Sequence, residues 1–354
     1  MNTIINNHSA RKKTLSYINY LKTIALFAVI AIHVLGDRYY YTLPQNGIWY
    51  TLLAFGTLVR FGVPIFIMCS GALYLNEEKE FPIRKALRFA IKYAVIFIVW
   101  TVIYITADWL IEKKPQNYFV YFYYNFSHFK YHLWYLPMLI FLCIITPALK
   151  LLTKKENKKI VEYLLIVFTI VIIIRSFSMY FKNFLPLEWM LNFMPVELIK
   201  YTMIYLTGWY LATFSFPKPF AKIILITGLC CYLLAPLVNC MSSYQIGQKT
   251  FYTADNFDIF NYAFSCAIFL LCKIMEDKLP HSKCISFIAG NTLYAYLIHV
   301  LLIMLIQTYL IPQWLLSSYW CFLVFLAEIL IVGAVSLFLS MIIKKAMRLF
   351  TKQE

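Results

Sequence analysis

The chain has 354 residues, of which 62% are hydrophobic and 14% charged, with a mean hydropathy of +0.70. A soluble globular protein carries far more charge and less apolar bulk, so that class is excluded. The net charge of +16 invites a polyanion partner, yet the basic residues stand in short segments between apolar runs, so membrane topology accounts for them and no nucleic-acid partner is expected.

Runs long enough to cross a hydrocarbon core of about 30 Å fall at 17–36, 48–75, 88–111, 131–152, 159–180, 196–216, 220–240, 255–275, 283–307 and 317–343. They predict an all-α polytopic membrane protein, a single bundle of about ten transmembrane helices. No linker or low-complexity stretch divides the chain, so 1–354 is expected to be one domain. The tails 1–16 and 344–354 are expected in the cytoplasm: about two thirds of the 32 Lys and Arg residues lie in the terminal segments or in every second connection, as the excess of basic residues on the cytoplasmic side requires. The first run is too long for a signal peptide and no small-residue cleavage pattern follows it, so it is expected to be retained as a helix. Trp49, Trp109, Trp134, Trp189 and Trp314 stand near the ends of runs, where amphipathic rings rest at the headgroups.

In the first span, YINYLKTIALFAVIAIHVL, Lys22 and His33 are eleven residues apart. Eleven steps of about 100° return them to nearly one helix face, roughly 16 Å apart along the axis. Ionisable groups at such depth are functional candidates by default. The second span, RFGVPIFIMCSGALYL in its later part, holds Arg60, Pro64, and Ser70 beside Gly71. Pro64 is expected to kink that helix, and Gly71 to permit close approach of a chain or ligand. Arg60 offers forked donors to a carbonyl or carboxylate, or alternatively pairs with Glu328 as a purely architectural contact. Arg84, Lys85 and Arg88 open the third span on the cytoplasmic side.

His132 begins the fourth span and His299 lies in the ninth, so that with His33 three histidines are expected in the outer half. Imidazole, with an ordinary pKa of about 6.5, suits proton transfer near neutrality. Each could instead merely bond a neighbouring helix. His8, His128 and His281 fall in terminal or connecting segments and are expected to be solvated, while Glu197, Lys200, Asp108, Asp255 and Asp258 at outer helix ends are expected for the most part to be solvated caps and interface pairs. The nine cysteines have no CxxC or metal-ligand spacing and read as apolar filler; no metal is expected. HExxH, GxSxG and Walker patterns are absent.

Taken in order, these residues resemble the transmembrane acyltransferase-3 family, integral membrane enzymes that move acyl groups onto hydroxyls of surface glycans and related acceptors. The family opens with an arginine, ten intervening residues and a histidine; this chain has Lys22, ten residues and His33. VPIFIMCSGALYL at 63–75 is similar to the family's Ser-Gly element, and Arg60, HLWYLPMLIFLCIITP at 132–147 and NTLYAYLIH at 291–299 resemble the subgroup containing the O-acetyltransferase of enterobacterial common antigen.

The resemblance implies a multi-pass protein of the bacterial plasma membrane and an acyl-CoA co-substrate, acetyl-CoA first. It also implies a glycan or lipid-linked saccharide acceptor and catalysis by His33 as base with Arg60, His132 and His299. Lys22, Ser70, Gly71, Arg84 and Arg88 would hold the donor. Lysine for arginine at 22 keeps the charge and loses the planar fork. Membrane lipids are partners, and a homo-oligomer is compatible with the chain. The competing expectation is a carrier that exports a glycan or lipid-linked saccharide, since some members of the family have been read as translocators.

Overall fold

The computed structural model describes residues 16–36, 47–126, 128–180, 196–247, 258–316 and 320–351. Its helices are α1 (Ser16–Val34), α2 (Gly47–Leu58), α3 (Gly62–Tyr74), α4 (Ile83–Ile111), α5 (Tyr118–Asn125), α6 (Tyr135–Leu152), α7 (Lys158–Tyr180), α8 (Val196–Thr213), α9 (Lys218–Ile246), α10 (Ile259–Ile274), α11 (Lys283–Tyr309) and α12 (Cys321–Thr351). A 3-10 turn at Tyr131–Trp134 leads into α6. No strand occurs among the described residues, as lipid demands of any fold other than a closed barrel: each helix satisfies its own backbone.

Every predicted span is matched by helix. Among the described residues eight segments are long and apolar enough to cross a membrane: α1, the α2–α3 run, α4, α6 with its leading turn, α7, α9, α11 and α12. The other two predicted spans are α8, with Glu197 and Lys200 in its opening turns, and α10, at 16 residues. Both pack inside the bundle, α8 on α3 and α10 on α9.

The second span does not bend at Pro64; it breaks before it. Residues 59–61 form a turn between α2 and α3, and Pro64 then occupies the first turn of α3, where a missing N–H costs nothing. The carbonyl of Arg60, four residues before Pro64, is the one a continuous helix would have left without that donor. A broken helix at this depth is tolerated because protein surrounds it: Phe61 is buried, as are Gly62 and Pro64.

α1 lies at the centre, packed on α3, α10, α11 and α12. α3 and α8 approach still more closely: a Cβ added at Gly71 would stand 1.9 Å from the Tyr205 carbonyl oxygen, and one added at Gly208 would stand 2.1 Å from that of Met68. The glycines are reciprocal, each opening space for the other helix's backbone. The close approach expected at Gly71 is therefore made by α8.

Up-and-down alternation gathers the basic segments at one end. There, lysines close helix C-termini: Lys150 donates to the carbonyls of Asn76 and Lys79, both at 2.7 Å, and Lys273 to those of Leu211 (2.6 Å) and Phe214 (2.8 Å). A cation at carbonyls left over by a helix end is favourably placed. At the opposite end Asp258 caps α10 by accepting from the Phe260 N–H at 2.8 Å. It is 2% exposed, a buried cap where a solvated one was expected, because α7 closes over it with Ser176 accepting from the Ile259 N–H. Lys200, also expected in water, is 4% exposed.

Trp49 is 2% exposed, which places it in the core and not at the headgroups. Trp314 is exposed as expected. Between the predicted spans 88–111 and 131–152 lies α5, a two-turn helix rich in Tyr and Phe. Asn117 caps it, accepting from the Phe119 N–H, and none of its residues is buried. His8, Trp189 and Asp255 lie outside the described residues, and of the Glu197 side chain nothing is described.

Substituting Gly208→Ala forces α3 and α8 apart, and overpacking of this kind costs about 1–3 kcal/mol. The expected outcome is a melting temperature lowered by several degrees in detergent, followed by tryptophan fluorescence, whereas Gly47→Ala, which meets nothing within 4 Å, leaves it unchanged.

Candidate active site

Three helices bring the three outer-half histidines together. His33 ends α1, His132 sits in the 3-10 turn before α6, and His299 lies in α11. Ring centroids are 5.0 Å apart for His33 and His299, 5.6 Å for His132 and His299, and 6.1 Å for His33 and His132. His132 and His299 have no exposure at all; His33 is half-buried.

Tyrosines hold the cluster. The Tyr104 ring of α4 meets the His132 ring at 4.7 Å, and its hydroxyl donates to the Leu297 carbonyl at 2.7 Å while accepting from the Leu301 N–H at 3.1 Å. Those two groups are partners in a regular helix, so Tyr104 docks on the backbone of α11 beside His299, a known way of locally distorting a helix. Tyr131 packs on His33 at 5.2 Å. Tyr296 donates its hydroxyl to the backbone carbonyl of His132, and its own carbonyl accepts from Nδ1 of His299.

That last bond sets the tautomer. A carbonyl only accepts, so Nδ1 of a neutral His299 carries the proton and Nε2 the lone pair. Nε2 of His299 and both ring nitrogens of His132 have no hydrogen-bond partner among the described residues. Buried polar atoms are rarely left so, and a site that takes a substrate or passes a proton is one reason for it.

A cavity of about 130 Å³ reaches toward this cluster from the basic end, lined among others by Lys22, Ser70, Tyr74, Tyr93, Tyr135 and Tyr296. Its Tyr74 wall adjoins the start of α4: the Tyr74 ring lies 5.4 Å from that of Phe81, and Lys85 stands over Phe81 at 5.3 Å. Arg84, Lys85 and Arg88 are exposed there. At its far end Val29, one turn before His33, and Tyr296, one turn before His299, line the wall.

Lys22 and Ser70 therefore share a cavity, and His33, His132 and His299 share a cluster. Gly71 faces α8 and is not among the cavity residues. Neither are Arg84 and Arg88, exposed in the first turns of α4, nor Arg60, which occupies the turn between α2 and α3 with its charge felt at His33. Glu328 of α12 is 2% exposed. The histidines do not line the cavity either; Tyr296 stands between the two.

Sequence reading missed the ring of phenols. Tyr74, Tyr93, Tyr135, Tyr205 and Tyr296 all line the cavity; for Tyr205 and Tyr296 a mid-span position, unlike the interfacial one expected of tyrosine, was the available signal, whereas Tyr74 and Tyr135 stand at helix ends and gave none. Among the described residues no group of three or more His, Cys, Asp or Glu side chains is placed to hold a metal ion.

A family model described as an acyltransferase domain matches residues 15–345. That is nearly the whole chain, and the chain belongs to this family. No curated protein matches it significantly, and no solved structure does. It is a multi-pass membrane acyltransferase.

Tyr296→Phe keeps the ring that walls the cavity and removes the hydroxyl from the His132 carbonyl. The His132 carbonyl keeps the Tyr135 N–H as a partner, so the loss is that of one buried hydrogen bond, about 0.5–1.5 kcal/mol. We expect a lower melting temperature together with weaker protection of the Tyr131–Tyr135 amides in hydrogen exchange, while donor binding in the cavity is retained.

Proposed function

We propose that the protein transfers an acyl group, acetyl in the simplest case, from cytoplasmic acyl-CoA to a hydroxyl of a cell-surface or lipid-linked glycan. In this reading the termini face the cytoplasm of a bacterial cell and the protein lies in its plasma membrane. The observation that carries the proposal is the alignment of one cavity with one cluster. Lys22 and Ser70 line a passage from the basic end, and three imidazoles gather beyond its closed end.

The nucleotide of the donor rests outside, its phosphates neutralised by Arg84, Lys85 and Arg88. The pantetheine arm enters past Lys22 and Ser70, among tyrosine hydroxyls that can bond its amides. The thioester reaches the histidines only when the Tyr296 side chain moves aside, since Tyr296 walls the cavity from the cluster.

The acceptor oxygen then attacks the thioester carbonyl. Its proton passes to His33, the new C–O bond forms, the C–S bond breaks, and the departing thiolate takes up the proton to leave as the free thiol of CoA. Arg60, in the turn between α2 and α3, steadies the oxyanion, a role for which a fixed cation is suited. His299 presents an unprotonated Nε2 and His132 two unpartnered nitrogens, so each can relay the proton or orient the acceptor hydroxyl.

Loss of a positioned base lowers the rate by about 10²–10⁴-fold. Purified protein in lipid, given radiolabelled acetyl-CoA, is expected to transfer or hydrolyse the acetyl group, and His33→Ala to lose this turnover while still binding acetyl-CoA by calorimetry. Undiminished turnover in His33→Ala overturns the assignment of the base. For Lys22 the effect is on binding: Lys22→Ala raises KM for acetyl-CoA about tenfold, the 1.4 kcal/mol of one charge-assisted contact, and Lys22→Arg restores it.

A further inference from the structure

A second cavity opens at the histidine end. Ile111, Glu112, Lys130, Met304, Gln307 and Thr308 line an open cavity of about 410 Å³, within the usual range for a small-molecule site. Its walls are the segments that carry the histidines. Lys130 precedes His132 by two residues. Gln307 lies two turns beyond His299 on α11 and donates Nε2 to the carbonyl of Val34, the residue after His33, at 3.0 Å. Ile111 and Glu112 end the helix whose Tyr104 ring touches His132.

The charges around this cavity cancel. Lys130 pairs with Asp108 at 2.7 Å and Glu112 with Lys114 at 2.6 Å; the hydrogen bond to Glu112 holds the Lys114 ammonium above its ordinary pKa. A phosphate or carboxylate site needs uncompensated cations or forked donors, and among the described residues none lines this cavity. Beside its paired cation it is lined by a carboxylate, which accepts hydrogen bonds, and by an amide and a hydroxyl, which both give and accept them, next to the apolar side chains of Ile111 and Met304. A ring with hydroxyls on its edge and C–H groups on its face meets that combination.

We propose that this cavity binds a neutral sugar unit of the acceptor, whose hydroxyls bond Glu112, Gln307 and Thr308 while its C–H face rests on Ile111 and Met304. The fate of the bound sugar rests on the acyl-transfer reading above; its binding does not.

The full-length protein in lipid nanodiscs is examined by saturation-transfer NMR with methyl β-D-glucopyranoside as probe, and by acetyl transfer from radiolabelled acetyl-CoA to the same probe. Thr308 is exposed, so Thr308→Trp fills the cavity from its rim; Ile111→Trp on another helix replaces it if that variant does not fold. The expected result is saturation transfer to the probe in the wild type, retained in His33→Ala, and at least fivefold weaker in the tryptophan variant, with KM for the probe raised by the same factor and KM for acetyl-CoA unchanged. Absence of probe binding to the wild type, equal binding by the tryptophan variant, or displacement by millimolar inorganic phosphate overturns the proposal. Probe binding without any acetyl turnover supports the cavity and refutes the acyl-transfer reading instead.

Discussion

A buried imidazole in a lipid-embedded bundle is costly unless protein surrounds it, and the placement of three of them around α1 constrains everything else in this structure. α1 must be central, because both its charged and its titratable side chains lie on one face. α4, the turn before α6, and α11 must then close around its outer end. The phenols of Tyr104 and Tyr296 do the closing: each reaches a backbone carbonyl that a neighbouring helix presents beside a histidine.

The break between α2 and α3 and the glycine contact between α3 and α8 serve the same arrangement from the other side. Breaking the helix at 59–61 places Arg60 in a turn, where its side chain is not confined to a helix face. Below the break, α3 presses on α8 through Gly71 and Gly208, and this fixes the wall of the cavity that carries Ser70. Architecture and chemistry are thus shared by one element, with Gly71 turned to the helix and Ser70 to the cavity.

Between the cavity and the histidines stands Tyr296, a single side chain bonded on the far side to His132. In the proposed reaction such a partition would keep the thioester from the base until the phenol moves.

The helices were legible in the sequence because hydrophobic runs of span length have few alternatives in lipid, and all ten predicted spans are matched by helix. The depth of His33, His132 and His299 was legible too, since depth follows from position along a span. Rotation and neighbour choice were not: periodicity is weak in helices that are apolar all round, so the sequence could not say that Gly71 would meet α8, that Trp49 and Asp258 would be buried, or that the chain would break before Pro64. Those outcomes depend on which backbones pack together, a property of the assembled bundle. The meeting of three imidazoles around Tyr296 belongs to the same category, for equal depth permits contact and only tertiary packing turns the rings toward one another.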